Sequence, residues 1–164
     1  MTGPIAMLAD SHENIVSMFM SPEDRAIADA KEEARLAQEK MLDEQGAKID
    51  AYFESHGSPL EGYGRKMAEE ALANDIDFRL LPAIAMREST GGINACDKFP
   101  ENKYGWGSCK IGLGGTDDIA IEKMSAHLGG NNPNTEKHYA GKTVKKILQT
   151  YNPDSVIQGY SKTG

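Results

Sequence analysis

Apolar positions along this chain recur mostly at spacings of three and four, the period of a helix, rather than at the alternation of a strand. The first clear element opens at Ser21-Pro22-Glu23-Asp24. Ser21 can cap, Pro22 suits the first helical position, and the two acids complement the positive end of the helix dipole. From there to about Lys48, small or apolar side chains recur at Ala26, Ile27, Ala30, Ala34, Ala37, Met41 and Leu42. That stripe is narrow and rich in alanine, and charged residues fill the remaining faces. The spacing predicts a long, mostly exposed helix acting as a stalk or docking arm, with a weak coiled coil as the alternative. Gly46 loosens it. Ile49, Tyr52 and Phe53 then supply the first substantial apolar face, which places the start of a folded domain at residue 47.

Beyond the break at His56-Gly57-Ser58-Pro59, a helix is expected from about Gly62 to Asn74, with Met67, Ala68, Ala71 and Leu72 on one side. The next, Phe78 to about Ser89, is the most apolar of the chain, with Asp77 able to cap it. Residues 90–115 read as loops with a short hairpin. Thr116 or Asp117 can start a helix carrying Ile119, Ala120, Met124 and Leu128. A long turn at 129–134, a short helix over Thr135–Tyr139 and a final helix from Thr143 complete the pattern, and 152–164 reads as loop or tail. The expected architecture is mainly α, with a small irregular or hairpin insertion. Residues 1–46 would form an acidic helical arm or linker outside the domain, and residues 47–164 the domain itself.

Composition sharpens that division. The chain has 164 residues and a formal net charge of −7. Residues 1–60 hold 12 acids and 5 bases, and residues 61–164 hold 13 of each, so the whole excess belongs to the first 60. Only 3 of the 17 glycines precede residue 61, and Phe19 is the sole aromatic before Tyr52. An arm followed by a glycine- and aromatic-rich domain fits both trends. The acidic balance argues against nucleic-acid binding through bulk positive charge. No apolar run approaches the length of a membrane span. The N-terminus lacks a basic n-region and a clean apolar h-region, so it is a poor signal peptide. The spacing of cysteines and histidines suggests no metal site, and no cofactor motif is present. Cys96 and Cys109 lie 13 positions apart in a polar loop region. We expect a disulfide there rather than two free thiols, closing a loop worth about 3 kcal/mol and implying an oxidising compartment.

The chemistry-bearing residue is Glu88. It ends the most apolar helix, at i+3 from Ala85, i+4 from Ile84 and i+7 from Leu81, so its carboxylate shares the face of core residues. A carboxyl desolvated at the edge of an apolar face tends to keep its proton at neutral pH, as a general acid for glycosidic cleavage requires. A structural glutamate that salt-bridges Arg87 or caps a nearby backbone is the competing reading. The stretch Leu80-Leu81-Pro82-Ala83-Ile84-Ala85-Met86-Arg87-Glu88-Ser89-Thr90-Gly91-Gly92 resembles the catalytic helix of the lysozyme-like superfamily, in particular bacterial and phage glucosaminidases and lytic transglycosylases. Asn102-Lys103-Tyr104-Gly105-Trp106-Gly107 is similar to the family's cleft-lining segment, with Lys103 where proline is common. Leu148-Gln149-Thr150-Tyr151-Asn152-Pro153 resembles its late tyrosine motif.

The resemblance covers roughly residues 47–160 and implies a lysozyme-like fold, α+β at most. It implies a peptidoglycan glycosidase acting on β-1,4 bonds between N-acetylglucosamine and N-acetylmuramic acid. Glu88 would be the acid, and Tyr151 would hydrogen-bond near the reacting centre. Tyr104 and Trp106 would stack on sugar faces, Gly105 and Gly107 would admit the polymer, and Ser89 would orient Glu88. Hydrolase and transglycosylase chemistry both remain open, because Asp97, Glu101, Asp117 and Asp118 are all candidates for a second carboxylate. The implied partner is a glycan strand in an extracytoplasmic setting such as periplasm, wall or virion, with assembly through the N-terminal helix as a further expectation. The alternatives are a non-catalytic wall-binding or virion structural module, and an interaction protein whose acidic helix is the working part.

Overall fold

The first helix begins where the sequence places it and ends well beyond. In the computed structural model, which describes residues 20–152, α1 spans Pro22–Ser55. The readings made for residues 1–19, for Pro153 and for the tail after it lie outside the described residues. The Ser21 hydroxyl accepts the Asp24 N–H at 3.1 Å and donates to the Asp24 carboxylate at 2.6 Å, a reciprocal cap that starts the helix. The expected weakening at Gly46 does not occur. Gly46 is buried, and a Cβ there would sit 2.8 Å from the Cα of Arg65. The glycine lets the chain at residues 64–65 cross the helix closely, which offsets its poor helix propensity of about 1 kcal/mol.

The chain divides into two units, Met1–Met41 and Leu42–Gly164, so the division falls inside α1 and ahead of the expected boundary after residue 46. In the first unit, residues 22–38 of α1 are all exposed, including Ile27 and Leu36. In the second, Leu42, Ile49 and Phe53 turn one stripe of the same helix into a buried face.

The second unit is built on that face. α2 spans Gly64–Ala73, α3 Leu80–Ser89, α4 Asp117–Gly129, α5 Glu136–Tyr139 and α6 Val144–Tyr151. Asp50 accepts the N–H groups of Gly62 and Gly64, both at 2.8 Å, and so fixes the entry into α2. α4 packs against α2, α3 and α5, and α6 packs against α5. Met67 of α2, Leu81, Ile84 and Ala85 of α3, and Ile121, Met124 and Leu128 of α4 meet Phe53 in one core. Burying each large side chain there contributes roughly 1.5–3 kcal/mol.

The fold is mainly α, as the periodicity predicts. The expected hairpin reduces to one isolated antiparallel bridge, Cys96 with Phe99. α3 starts at Leu80 rather than Phe78, after a turn over residues 78–79 that Asp77 caps as expected: its carboxylate accepts the Arg79 N–H (2.9 Å) and guanidinium (2.8 and 2.5 Å). Among the described residues, no helix is long and apolar enough to cross a membrane.

Candidate active site

α3 is cut off sharply after Ser89, and this exposes one edge of Glu88. Thr90 takes a left-handed conformation (φ 54°), with its N–H donating to Met86 O and the Gly91 N–H to Ala85 O, both at 3.0 Å. The first of these bonds, from a left-handed residue back to the last turn, is the αL helix-ending motif. Gly91 must be glycine here, since its φ is +68° and a Cβ would lie 2.6 Å from Ser58 Oγ. Leu80, Leu81, Ile84 and Ala85 point into the core, and Glu88 follows them on the same face as a half-buried side chain.

Ser89 is buried and ties the helix end to the next wall. Its hydroxyl lies 2.6 Å from Lys103 O and accepts the Gly92 N–H at 2.8 Å. Its bonds go to backbone groups and none of them to Glu88, and the buried side chain is closed to a sugar. The neighbouring turn is organised by Asn102, whose side chain is fully buried. Its amide donates to Trp106 O (2.8 Å) and Ile111 O (2.9 Å), and its Oδ1 accepts the Trp106 N–H (3.0 Å). A buried asparagine satisfies backbone groups that a loop of this shape would otherwise leave unpaired.

Gly105 is held against the acid. Its φ is +67°, and a Cβ there would lie 2.8 Å from Glu88 Oε2. Gly107, Ser108 and Cys109 also have positive φ, so the short 3-10 turn over Trp106–Cys109 is bent sharply away from regular helix. The sulfur atoms of Cys96 and Cys109 are at bonding distance with a Cα–Cα separation of 5.4 Å, which fastens the far end of this turn.

Tyr151 closes the site from α6. Its hydroxyl donates to the Tyr104 carbonyl. Burial, then the negative charge of Glu88, then Tyr139 push its ionisation far above the usual tyrosine range. It therefore stays protonated, with its proton committed to that carbonyl. Asn152, the next residue, places its amide nitrogen 3.5 Å from Glu88 Oε1. Gly105, Trp106, Gly107, Ser108, Ile111 and Tyr151 line an open cavity of about 320 Å³.

Two expectations change at this point. Tyr104 is 1% exposed and its ring belongs to the core, so it has no face to offer a sugar. What it contributes to the site is its carbonyl. Trp106 is partly buried and stacks on His127 at 4.6 Å and 20°, so only the remainder of its surface reaches the cavity. Burial, then Lys123, hold the His127 ionisation below the ordinary histidine value.

The four candidates for a second carboxylate differ in their surroundings. Glu101 is buried. Burial alone would raise its pKa, but backbone N–H groups, including those of Leu113 (3.0 Å) and Gly115 (3.2 Å), outweigh this and hold it below the usual glutamate value. Asp117 pairs with Lys103, while Asp97 and Asp118 are exposed. Asn102 and Asn152 stand in the quoted motifs with no role assigned to them, and nothing in the sequence singles out His127. No family model, no curated protein and no solved structure matches the chain.

Proposed function

We propose that this chain is a peptidoglycan glycosidase of the lysozyme-like kind, with Glu88 as general acid and then base at a β-1,4 bond between N-acetylglucosamine and N-acetylmuramic acid. The observation that carries the reading is one convergence. Glu88 lies in the last turn of an apolar helix, with Oε2 against Gly105 and its charge acting on Tyr151, and both of those residues line an open cavity. These are the three segments whose sequences resemble the family's site.

In this reading Glu88 gives its proton to the glycosidic oxygen as the C1–O bond breaks. Its carboxylate then takes a proton back, from water in a hydrolase or from the muramoyl 6-hydroxyl in a transglycosylase that closes a 1,6-anhydro ring. Tyr151, with its proton given to the Tyr104 carbonyl, offers a phenolic lone pair to a substrate N–H or O–H. Gly105 keeps the space beside Oε2 open. Trp106 supplies apolar surface for a pyranose face. The Cys96–Cys109 pair suits an extracytoplasmic setting. The exposed part of α1 would serve assembly or a protein partner.

The test is clearing of bacterial wall by wild type beside Glu88→Gln. A general acid contributes about 10²–10⁴-fold, so the variant should clear at background. Equal clearing by both, or none by either, would leave the wall-binding or virion structural module as the better reading. Mass spectrometry of the released fragments assigns the reaction: anhydro ends mean a transglycosylase, reducing ends a hydrolase.

A further inference from the structure

The two oxygens of the Glu88 carboxylate have different neighbours. Oε2 faces Gly105, where the missing side chain leaves room, and Gly105 lines the open cavity. Oε1 faces the Asn152 amide nitrogen at 3.5 Å. Asn152 is held from two sides. Its backbone N–H caps α6 by donating to Leu148 O at 3.0 Å, and its neighbour Tyr151 is anchored to the Tyr104 carbonyl.

An amide N–H is a donor only, so it pairs with the carboxyl oxygen that carries no proton. We infer that Asn152 is a positioning residue for the acid: by donating to Oε1 it leaves the transferable proton on Oε2, on the side of the cavity. This rests on the glycosidase reading of Glu88. The 3.5 Å separation is long for such a bond, and catalytic hydrogen bonds commonly tighten when substrate binds.

Glu88 has charged and titratable neighbours among the described residues. Tyr151, from α6, interacts electrostatically with it. Arg87 precedes it on α3 and is exposed. Lys103, on the turn wall, directs its Nζ to Asp117 and to Pro100 O. Losing the Asn152 donor therefore removes this hydrogen bond to Oε1 while the Tyr151 anchor remains.

The test uses the full chain with soluble peptidoglycan glycan oligomers, in wild type, Asn152→Ala, the near-isosteric Asn152→Asp, and Glu88→Gln. For Asn152→Ala we expect kcat to fall about tenfold, a fraction of what general-acid catalysis supplies. KM should hold, and the alkaline limb of the pH–rate profile should move to higher pH. Asn152→Asp should move the limb further in the same direction. A second readout does not depend on turnover. Carbon-13 NMR of the Glu88 carboxyl should show its titration at higher pH in both Asn152 variants than in wild type. An unchanged titration, or a kcat loss with an unmoved limb and a lowered Tm, overturns the positioning role. Turnover by Glu88→Gln overturns the glycosidase reading instead, so the two failures are distinguishable.

Discussion

One helix, α1, is used in two ways. Residues 22–41 hold a regular helix with exposed side chains, including Ile27 at 51% and Leu36 at 54%. Residues 42–55 hold the same backbone geometry with Leu42, Gly46, Ile49 and Phe53 buried. The first stretch depends on local terms: the Ser21 cap, alanine-rich propensity, and the pairing of Arg35 with Glu32 at 2.9 and 2.7 Å. The second depends on the core. Helical geometry alone therefore does not distinguish a segment that folds because its residues favour helix from one held by packing.

Substitutions at the two ends separate these cases, and the largest effect should come from the core. Phe53 is fully buried, so Phe53→Ala should destabilise by about 3–5 kcal/mol, with Tm falling accordingly. Leu36→Ala, in the exposed stretch, should change stability by no more than about 0.5 kcal/mol. Chemical denaturation of both variants checks this, and equal effects would erase the comparison.

Gly105→Ala tests the site that the second region supports. Its φ of +67° makes alanine cost about 1–2 kcal/mol in backbone strain. The added Cβ would also press on Glu88 Oε2. Activity should therefore fall much further than the change in Tm alone explains. A variant that loses stability and keeps full turnover would separate Gly105 from the chemistry.

This position also marks how far a single sequence can be read. The starts of α4 and α6 and the C-terminal end of α3 were legible because caps and apolar spacing are local. Thr116 accepts the Ile119 N–H at 3.3 Å, and Thr143 accepts the Lys146 N–H at 3.4 Å. The stripe from Leu81 to Glu88 was legible for the same reason. What could not be read depends on distant partners. Gly46 looked like a weak point because its reason, the backbone of Arg65, lies on another helix. Tyr104 looked like a binding aromatic because nothing local shows that its ring fills the core. Asn152 meets Glu88 across 64 positions, a separation that no spacing rule reaches.

A smaller effect is expected from Glu101, which organises the loop over residues 101–115. Its folded pKa is lowered, so it contributes stability above its unfolded value. That contribution is lost as pH falls through the folded value. Glu101→Gln should lower Tm near neutrality, and the difference from wild type should shrink progressively in acid. Melting curves from pH 7 down to about 3 cover the range in which an ordinary glutamate titrates. A pH-independent difference would mean that shape rather than charge fits Glu101 to its amides.

The smallest expected effect is at Glu32. It is fully exposed, and its pKa is lowered chiefly by the hydrogen bond from Arg35. Glu32→Gln should leave the global Tm unmoved, because the core of residues 42–152 does not depend on it. What it should change is local. The far-UV helix signal should drop slightly at low ionic strength and match wild type at high salt, where the ion pair is already screened. Circular dichroism at two salt concentrations, beside the melting curve, reads both quantities. A shift in Tm would mean that this end of α1 is coupled to the cooperative unit, and that the two uses of the helix are energetically one.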